Sequence, residues 1–296
     1  MILPKQVKIV EVGPRDGLQA ESVTLPVETR IQLINFLSDS GLKAIEVGSF
    51  VSPQWIPQLA RSDEVYKGIT KKAGVDYSIL VPNTKGYEIA SENNVQSIAV
   101  FTAASETFCQ KNINSSIEKS LESFGYFIPD AKAKGLTVRG YISCAIACPF
   151  EGPIDPLTVH EIVSKLLDLG CDEISLGDTI GVGTPQQVQR LLWDIPAPLE
   201  KIAVHFHDTY GMGIANIYAA LEQGITIVDS SVSGLGGCPY APRASGNVAT
   251  EDVVYLLMGL GIEHGVDFKS LLKAASFIDE QLARETTSKS SKALRI

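Results

Sequence analysis

The sequence predicts an α/β fold, a closed (β/α)8 TIM barrel, on two observations. Eight short apolar segments recur along the chain, and segments with helical periodicity separate them. Apolar strands that alternate with helices indicate a parallel sheet covered on both faces. Eight such units in about 250 residues fit a closed barrel, whereas an open doubly wound sheet is the alternative.

The predicted elements divide the chain into a barrel and a C-terminal extension. The strands are Val7–Val12, Ala44–Val47, Asp76–Val81, Ser97–Thr102, Thr137–Ser143, Glu173–Leu176, Ile202–His207 and Thr226–Ser230. The helices between them include Pro26–Ser38, Ser115–Lys134, Pro156–Leu169, Thr184–Leu192 and Gly213–Gln223. Acids after Thr250 suit the start of the last barrel helix. Residues 1–265 are therefore the predicted catalytic barrel. Residues 266–296 are predicted to be a helical C-terminal extension, helical over Phe268–Glu285, with a partly disordered tail.

Composition and charge exclude several classes of protein. Of the 296 residues, 45% are hydrophobic and 20% are charged, which is enough to bury one large core. The net charge of −9 argues against binding of nucleic acids or anionic membranes. Five cysteines do not form a disulfide-rich scaffold, and no apolar run approaches the roughly 20 residues of a membrane span. Met1–Lys5 lacks a signal-peptide pattern, so we expect a cytoplasmic protein.

Polar residues collect where predicted strands end, which is where barrel enzymes place their active sites. Arg15 and Asp16 follow strand one, Glu46 lies in strand two, and Asp178 follows strand six. An adjacent Arg and Asp are also compatible with a structural salt bridge. A carboxylate in an apolar strand is costly unless it is paired, so we expect Glu46 to have a partner such as Arg15.

The most informative strand carries two of the four histidines. His205 and His207 are two residues apart, so their side chains lie on the same face of the strand. Together with Asp16 they predict a site for a divalent cation. Mixed nitrogen and oxygen ligands suit Mg²⁺ or Mn²⁺ better than a structural zinc site.

A glycine-rich loop follows the last strand and contains Cys238. Gly234, Gly236 and Gly237 precede this cysteine, which indicates a segment that moves or approaches a ligand closely. A simple glycine-rich turn with an incidental cysteine is the alternative. The remaining cysteines are predicted to be buried and structural; they are Cys109, Cys144, Cys148 and Cys171.

These segments together resemble the 3-hydroxy-3-methylglutaryl-CoA (HMG-CoA) lyase family. They are Val12–Gln19, Glu46–Pro53, Lys111–Asn114, Ser175–Gly181, His205–Thr209 and Gly234–Asn247, and the resemblance runs from about residue 5 to residue 265. The Gly-Leu-Gly-Gly-Cys-Pro-Tyr-Ala segment is specific, whereas the Arg-Asp and His-x-His pieces are shared with other pyruvate-carboxyltransferase-like barrels. Eukaryotic members carry a mitochondrial leader and a regulatory C-terminal cysteine. The sequence shows neither, so it resembles a bacterial-type member.

The resemblance implies cleavage of HMG-CoA to acetyl-CoA and acetoacetate, a reaction of leucine catabolism and ketone-body formation. It implies that the metal ligands are Asp16, His205, His207 and Asn247. It further implies that Arg15 polarises the thioester carbonyl and that Cys238 transfers a proton. Glu46 and Asp178 match the family's supporting acids.

The chemistry of such a cleavage calls for the same groups. A divalent cation lowers the pKa of the tertiary alcohol, a guanidinium stabilises the developing enolate, and a thiol on a loop can protonate it. The phosphates of CoA need local cations despite the negative net charge. Lys85 and Lys111 follow strands three and four, and with Gln19 they are the candidate residues for binding substrate and CoA.

Other functions stay open at this point. One is a lyase for a longer-chain substrate such as 3-hydroxy-3-isohexenylglutaryl-CoA, since one methylene changes binding in an apolar pocket by only about 1–3 kcal/mol. A condensing enzyme related to isopropylmalate or citramalate synthase is disfavoured by the cysteine loop. A non-catalytic metal-dependent CoA-binding protein would leave Arg15 and Cys238 unexplained. We expect a homo-oligomer, a dimer.

Overall fold

The computed structural model describes residues 3–237 and 246–294 and contains a closed barrel of eight parallel strands. The strands are β1 (Lys8–Glu11), β2 (Ala44–Ser49), β3 (Asp76–Leu80), β4 (Ser97–Ala103), β5 (Thr137–Ser143), β6 (Glu173–Asp178), β7 (Ile202–Phe206) and β8 (Ile227–Ser230). Each strand pairs with its neighbours in sequence, and β8 pairs with β1 to close the barrel. The predicted TIM barrel is confirmed, and the open sheet is excluded.

Helices surround the barrel. They are α1 (Val27–Asp39), α2 (Ser62–Gly68), α3 (Thr84–Glu92), α4 (Glu106–Ile113), α5 (Ile117–Gly125), α6 (Ile128–Ala133), α7 (Pro156–Asp168), α8 (Pro185–Leu192), α9 (Gly213–Glu222), α10 (Thr250–Leu260), α11 (Phe268–Leu282) and α12 (Lys289–Leu294). The single helix predicted over Ser115–Lys134 is wrong. Pro129 has no N–H to continue the helix, so the chain forms α5 and then α6. None of the described helices combines the length with the apolar character that a membrane span requires.

Both helices of the C-terminal extension, α11 and α12, pack against the rest of the protein. Helix α11 packs against α1, where the rings of Phe36 and Phe277 meet edge to face with centroids 5.2 Å apart. The backbone N–H of Thr287 donates to the carbonyl oxygen of Ser233, and Ser288 is fully buried. The described part of the predicted disordered tail therefore contains α12 and is attached to the loop after β8.

The barrel interior contains an apolar cluster and buried polar side chains next to each other. The apolar cluster consists of small and branched side chains, namely Val10, Val12, Ala44, Ala203 and Ile227. Other inward positions carry buried polar side chains, among them Ser175, His205 and Asp229. The outward positions of the same strands belong to the large core shared with the helices. The alternation of side chains along a strand thus separates this interior from the core between strands and helices.

Candidate active site

Three candidate metal ligands meet at the C-terminal end of the barrel. One ligand atom each from Asp16, His205 and His207 lies within 4.8 Å of the others. His205 faces inward from β7, and His207 follows the strand by one residue. The predicted grouping of two histidines with the aspartate of strand one is present in the structure.

A π-helical turn over Gly13–Gly17 places Arg15 and Asp16 at this end of the barrel. The backbone N–H groups of Arg15, Asp16 and Gly17 all donate to the carbonyl oxygen of Val12, at 2.7–3.2 Å. Single π-turns concentrate at functional sites because the extra residue redirects neighbouring side chains. Here the turn directs two adjacent charged side chains toward the same cluster.

Arg15 connects Glu46 with the candidate metal ligands. Its Nε donates to Glu46 Oε2 at 2.5 Å, and its Nη1 donates to Asp16 Oδ1 at 2.6 Å. Glu46 is fully buried, and the guanidinium also lies 5.3 Å from the ring centroid of Tyr141. The predicted pairing of Glu46 with Arg15 is confirmed. The pair holds the guanidinium in one orientation beside Asp16.

Asn247 reaches the cluster from the segment that follows the glycine-rich loop. The backbone N–H of Asp208 donates to the carbonyl of Gly246, and Val248 donates to the carbonyl of Phe206, so this segment pairs with the end of β7. The Nδ2 of Asn247 donates to Asp16 Oδ2 at 2.8 Å. Asn247 therefore lies against the candidate ligand Asp16, and its own role as a metal ligand stays a prediction. Cys238 lies outside the described residues.

The electrostatics of the cluster keep Asp16 and His207 in their metal-binding forms. Burial alone would lower the pKa of His205, but its hydrogen bond to Asp229 and the charges of Asp16 and Asp229 raise it. Burial alone would raise the pKa of Asp16, but the charges of Arg15, His205 and His207 hold this pKa well below its usual range. Burial, with the neighbouring His205, lowers the pKa of His207 to about 4. At neutral pH the carboxylate is ionised and the His207 ring is neutral.

The residues present fit a divalent cation. His207 Nδ1 is buried and has no hydrogen-bond partner among the described residues, which is unusual for a buried polar atom and is explained when the atom binds an ion. Neutral imidazole and ionised carboxylate are the forms that bind metal. The mixture of nitrogen and oxygen donors suits Mn²⁺, Mg²⁺ and similar ions.

Asp178 lies near the cluster but bonds to its own loop. Strand alternation turns its side chain to the outward face that Leu176 also occupies, and its Oδ2 accepts a hydrogen bond from the backbone N–H of Gly183 at 2.8 Å. Burial raises the pKa of Asp178 to about 6. The structure therefore places Asp178 in support of the loop after β6, without a hydrogen bond to the three candidate ligands.

The candidate substrate-binding residues are spread around the same end of the barrel. Gln19 follows the π-turn, and its Oε1 is buried without a hydrogen-bond partner among the described residues. Lys85 is exposed in the first turn of α3. Lys111 is exposed on α4, with its Nζ 3.7 Å from the ring centroid of Phe150. The hydrogen bonds of the described residues do not connect either lysine to the cluster.

Sequence reasoning missed a buried polar network in contact with His205. Arg139 Nη2 donates to Asp229 Oδ1 at 2.6 Å, and Ser175 Oγ donates to Asp229 Oδ2 at 2.8 Å. The same Oδ2 lies 3.2 Å from His205 Nδ1. A signal was available in the sequence, because Arg139 and Asp229 are each a charged residue within an otherwise apolar strand. Burial of such a charge is costly unless it has a partner of opposite charge.

Comparisons with known proteins identify relatives that share the sequence and the fold of this chain. A family model described as HMGL-like matches residues 6–278. A mitochondrial hydroxymethylglutaryl-CoA lyase of Bos taurus is 54% identical over 288 residues, which are 97% of this chain and 89% of the bovine protein. A 3-hydroxy-3-isohexenylglutaryl-CoA/hydroxymethylglutaryl-CoA lyase of Pseudomonas aeruginosa is 53% identical and covers 99% of both chains. A solved HMG-CoA lyase of Acinetobacter baumannii, in complex with coenzyme A and 3-methylmalate, superposes with a TM-score of 0.94 at 37% identity, covering 100% of this chain and 97% of that one.

Proposed function

The chain belongs to the HMG-CoA lyase family, and we propose that it cleaves HMG-CoA to acetyl-CoA and acetoacetate. The observation that carries this proposal is the cluster of Arg15, Asp16, His205 and His207 at the C-terminal end of a closed barrel. Cleavage of the carbon–carbon bond requires loss of the proton from the tertiary hydroxyl group. It also requires stabilisation of the electron pair that remains on the acetyl-CoA fragment.

Four residues would hold the divalent cation: Asp16, His205, His207 and Asn247. A bound Mg²⁺ or Mn²⁺ acts as a Lewis acid that lowers the pKa of the substrate hydroxyl. The burial of the two histidines and the ionised state of Asp16 support this ligand set. In this proposal Asn247 orients Asp16 through its Nδ2 and offers the remaining amide oxygen as a ligand.

Arg15 would stabilise the charge that develops on the thioester oxygen. Its Nε and Nη1 are occupied by Glu46 and Asp16, while no described residue hydrogen-bonds to Nη2. A fixed guanidinium with a free donor pair favours the enolate over the neutral thioester, because the negative charge exists only as the bond breaks. Glu46 acts by orienting Arg15, and Asp178 acts by holding the loop after β6. Cys238 would protonate the acetyl carbon.

The CoA part of the substrate would lie outside the cluster. The solved relative from A. baumannii contains coenzyme A, which supports a CoA site on this fold. Lys85 and Lys111 are the cations proposed to contact the phosphates, and Gln19 is proposed to contact the acyl part. Both lysines are exposed and lie on the helices that follow β3 and β4.

A longer-chain substrate is the second candidate function. The P. aeruginosa relative is named for both isohexenylglutaryl-CoA and HMG-CoA cleavage, and it matches this chain over its whole length. The test is release of acetoacetate or of the longer 3-oxo acid from each thioester, with and without Mg²⁺. Cleavage of HMG-CoA with the higher kcat/KM supports the first assignment. Selective cleavage of the isohexenyl thioester supports the second, and no cleavage of either refutes both.

We further propose a cytoplasmic homodimer. The match to a bacterial relative over 99% of both chains supports the location. Light scattering of the purified protein tests the dimer, which a mass of one chain would contradict.

A further inference from the structure

The two ring nitrogens of His205 have different neighbours. Its Nδ1 lies 3.2 Å from Asp229 Oδ2, and its Nε2 lies 3.8 Å from Asp16 Oδ2. Asp229 is buried within the barrel, on β8 in register with His205 of the neighbouring strand β7. The ring therefore separates a buried carboxylate from the proposed metal site.

Asp229 cannot easily change its orientation. Its Oδ1 accepts from Arg139 Nη2 at 2.6 Å, and its Oδ2 accepts from Ser175 Oγ at 2.8 Å. Arg139 is itself buried and also forms an ion pair with Glu173, whose Oε1 lies 2.9 Å from the guanidinium. The carboxylate of Asp229 is thus held from two sides before it meets His205.

An ionised carboxylate only accepts hydrogen bonds, so the proton of a neutral His205 ring is placed on Nδ1. This leaves Nε2 with a free electron pair on the side of Asp16. Metal-binding histidines in general have such a partner, which fixes the tautomer and the orientation of the ring. His207 differs, since its buried Nδ1 has no hydrogen-bond partner among the described residues.

We propose that Asp229 is a positioning residue that selects the Nδ1–H tautomer of His205 and so presents Nε2 to the divalent cation. This inference rests on the metal site of the proposed function. It makes the two histidines unequal, because only His205 has its ring orientation set by a carboxylate, that of Asp229, among the described residues. Asp229 touches neither the cation nor the substrate.

The substitution Asp229→Asn has a specific structural consequence. The N–H of Arg139 needs an acceptor, so the new amide oxygen turns toward Arg139 and the NH₂ group turns toward Ser175 and His205. His205 Nδ1 must then accept a hydrogen bond, and its proton moves to Nε2. A protonated Nε2 cannot bind metal. We expect the dissociation constant for Mn²⁺ to rise about 10- to 100-fold.

The first measurement is long-range ¹H–¹⁵N NMR of the histidine rings in the metal-free protein at alkaline pH, where the rings are neutral. The proposal expects the Nδ1–H form of His205 in the wild type and the Nε2–H form in Asp229→Asn. An Nε2–H form in the wild type overturns the proposal whether or not the variant folds. Resonances are assigned by comparison with His205→Gln.

The second measurement is titration of the metal-free proteins with Mn²⁺, followed by electron paramagnetic resonance and calorimetry. Asp39→Asn is the matched control, because it removes an exposed carboxylate that pairs with Lys72. Weaker Mn²⁺ binding in Asp229→Asn, with lost activity that excess Mn²⁺ largely restores, supports the proposal. Unchanged Mn²⁺ affinity in a folded variant overturns it. Absence of Mn²⁺ and Mg²⁺ binding in the wild type instead contradicts the proposed metal site.

Discussion

Arg15 and Glu46 form a buried ion pair in which Arg15 Nε lies 2.5 Å from Glu46 Oε2, and the same guanidinium reaches Asp16 through Nη1. One cation therefore joins a fully buried acid to a candidate metal ligand. This relationship is compatible with two roles for Arg15, a structural partner of Glu46 and a stabiliser of the reacting oxygen. The two roles predict different kinetics.

Arg15→Gln separates these roles. If Arg15 stabilises charge that appears only during bond cleavage, kcat falls about 10²- to 10³-fold with KM little changed. Arg15→Lys should restore little, because a point charge on a flexible chain does not reproduce the planar guanidinium. The measurement is kcat per folded active site, together with the melting curve.

The control for that experiment is Arg61→Gln, which removes an exposed arginine paired with Glu64. It should leave kcat unchanged.

Arg15→Gln itself should be less stable than the wild type, because Glu46 loses its cationic partner and becomes a buried unpaired charge. A lowered melting temperature with kcat within about tenfold of wild type would refute the stabilising role. Loss of one hydrogen-bond donor that stabilises a transition state typically lowers kcat by about 10²- to 10³-fold, which is more than such a result would show.

Removal of divalent cations should abolish turnover. Chelation is expected to leave the protein folded and inactive, and Mg²⁺ or Mn²⁺ should restore activity and raise the melting temperature, because a ligand that binds only the folded state stabilises it. His207→Gln should require a higher metal concentration for half-maximal activity. His160→Gln is the control, since this histidine contacts the carbonyl of Leu191 between helices α7 and α8. Full activity at a metal content verified as negligible would contradict the site.

Cys238→Ser should lower kcat about 10²- to 10⁴-fold with little change in substrate binding, as expected when a proton donor is weakened. The four described cysteines are buried. An alkylating reagent applied to the folded protein should therefore modify Cys238 first, and bound substrate should slow the reaction. Peptide mass spectrometry identifies the modified residue. Cys171→Ala is the control, and a near-normal kcat in Cys238→Ser would show that the thiol is not required.

The sequence was sufficient for the barrel and for the residues on its C-terminal rim. Strand positions could be predicted because buried parallel strands are continuous apolar segments, and β5 (Thr137–Ser143) has the predicted bounds. His205 and His207 could be predicted to lie on the same face of one strand, because the alternation of side chains depends only on their spacing in the sequence. Short helices such as α2 and α4 were not predicted, since segments of seven or eight residues carry little periodicity.

The polar network in the barrel could not be predicted in the same way. Arg139 and Asp229 lie on strands far apart in the chain, and only closure of the barrel brings them within 2.6 Å. Their partnership depends on the register of strands that a single sequence does not specify. The orientation of the Asp178 carboxylate was missed for a different reason, because the predicted strand ended at Leu176 whereas β6 continues to Asp178, where strand alternation turns the side chain outward.

Glu11 is a buried acid on the outward side of β1. Its carboxylate accepts hydrogen bonds from the backbone of Gly13 and Val232 and from the hydroxyl of Thr250. Burial outweighs these bonds and raises its pKa from 4.5 to about 7. The folded state therefore holds this proton more tightly than the unfolded state. Tighter proton binding by Glu11 therefore stabilises the folded state. This contribution is complete below pH 4.5 and is lost as the pH rises toward 7, so the free energy of unfolding falls across that interval.

Glu11→Gln should remove this dependence, because its amide keeps the acceptor for both backbone N–H groups and can donate to Thr250. The wild type should lose up to about 3 kcal/mol of stability between pH 4.5 and 8 relative to the variant. Denaturant unfolding at several pH values measures the difference, and Glu200→Gln, an exposed glutamate, is the control. Parallel pH profiles for the wild type and Glu11→Gln would show that Glu11 is ionised in the folded protein throughout, held so by its three hydrogen-bond donors.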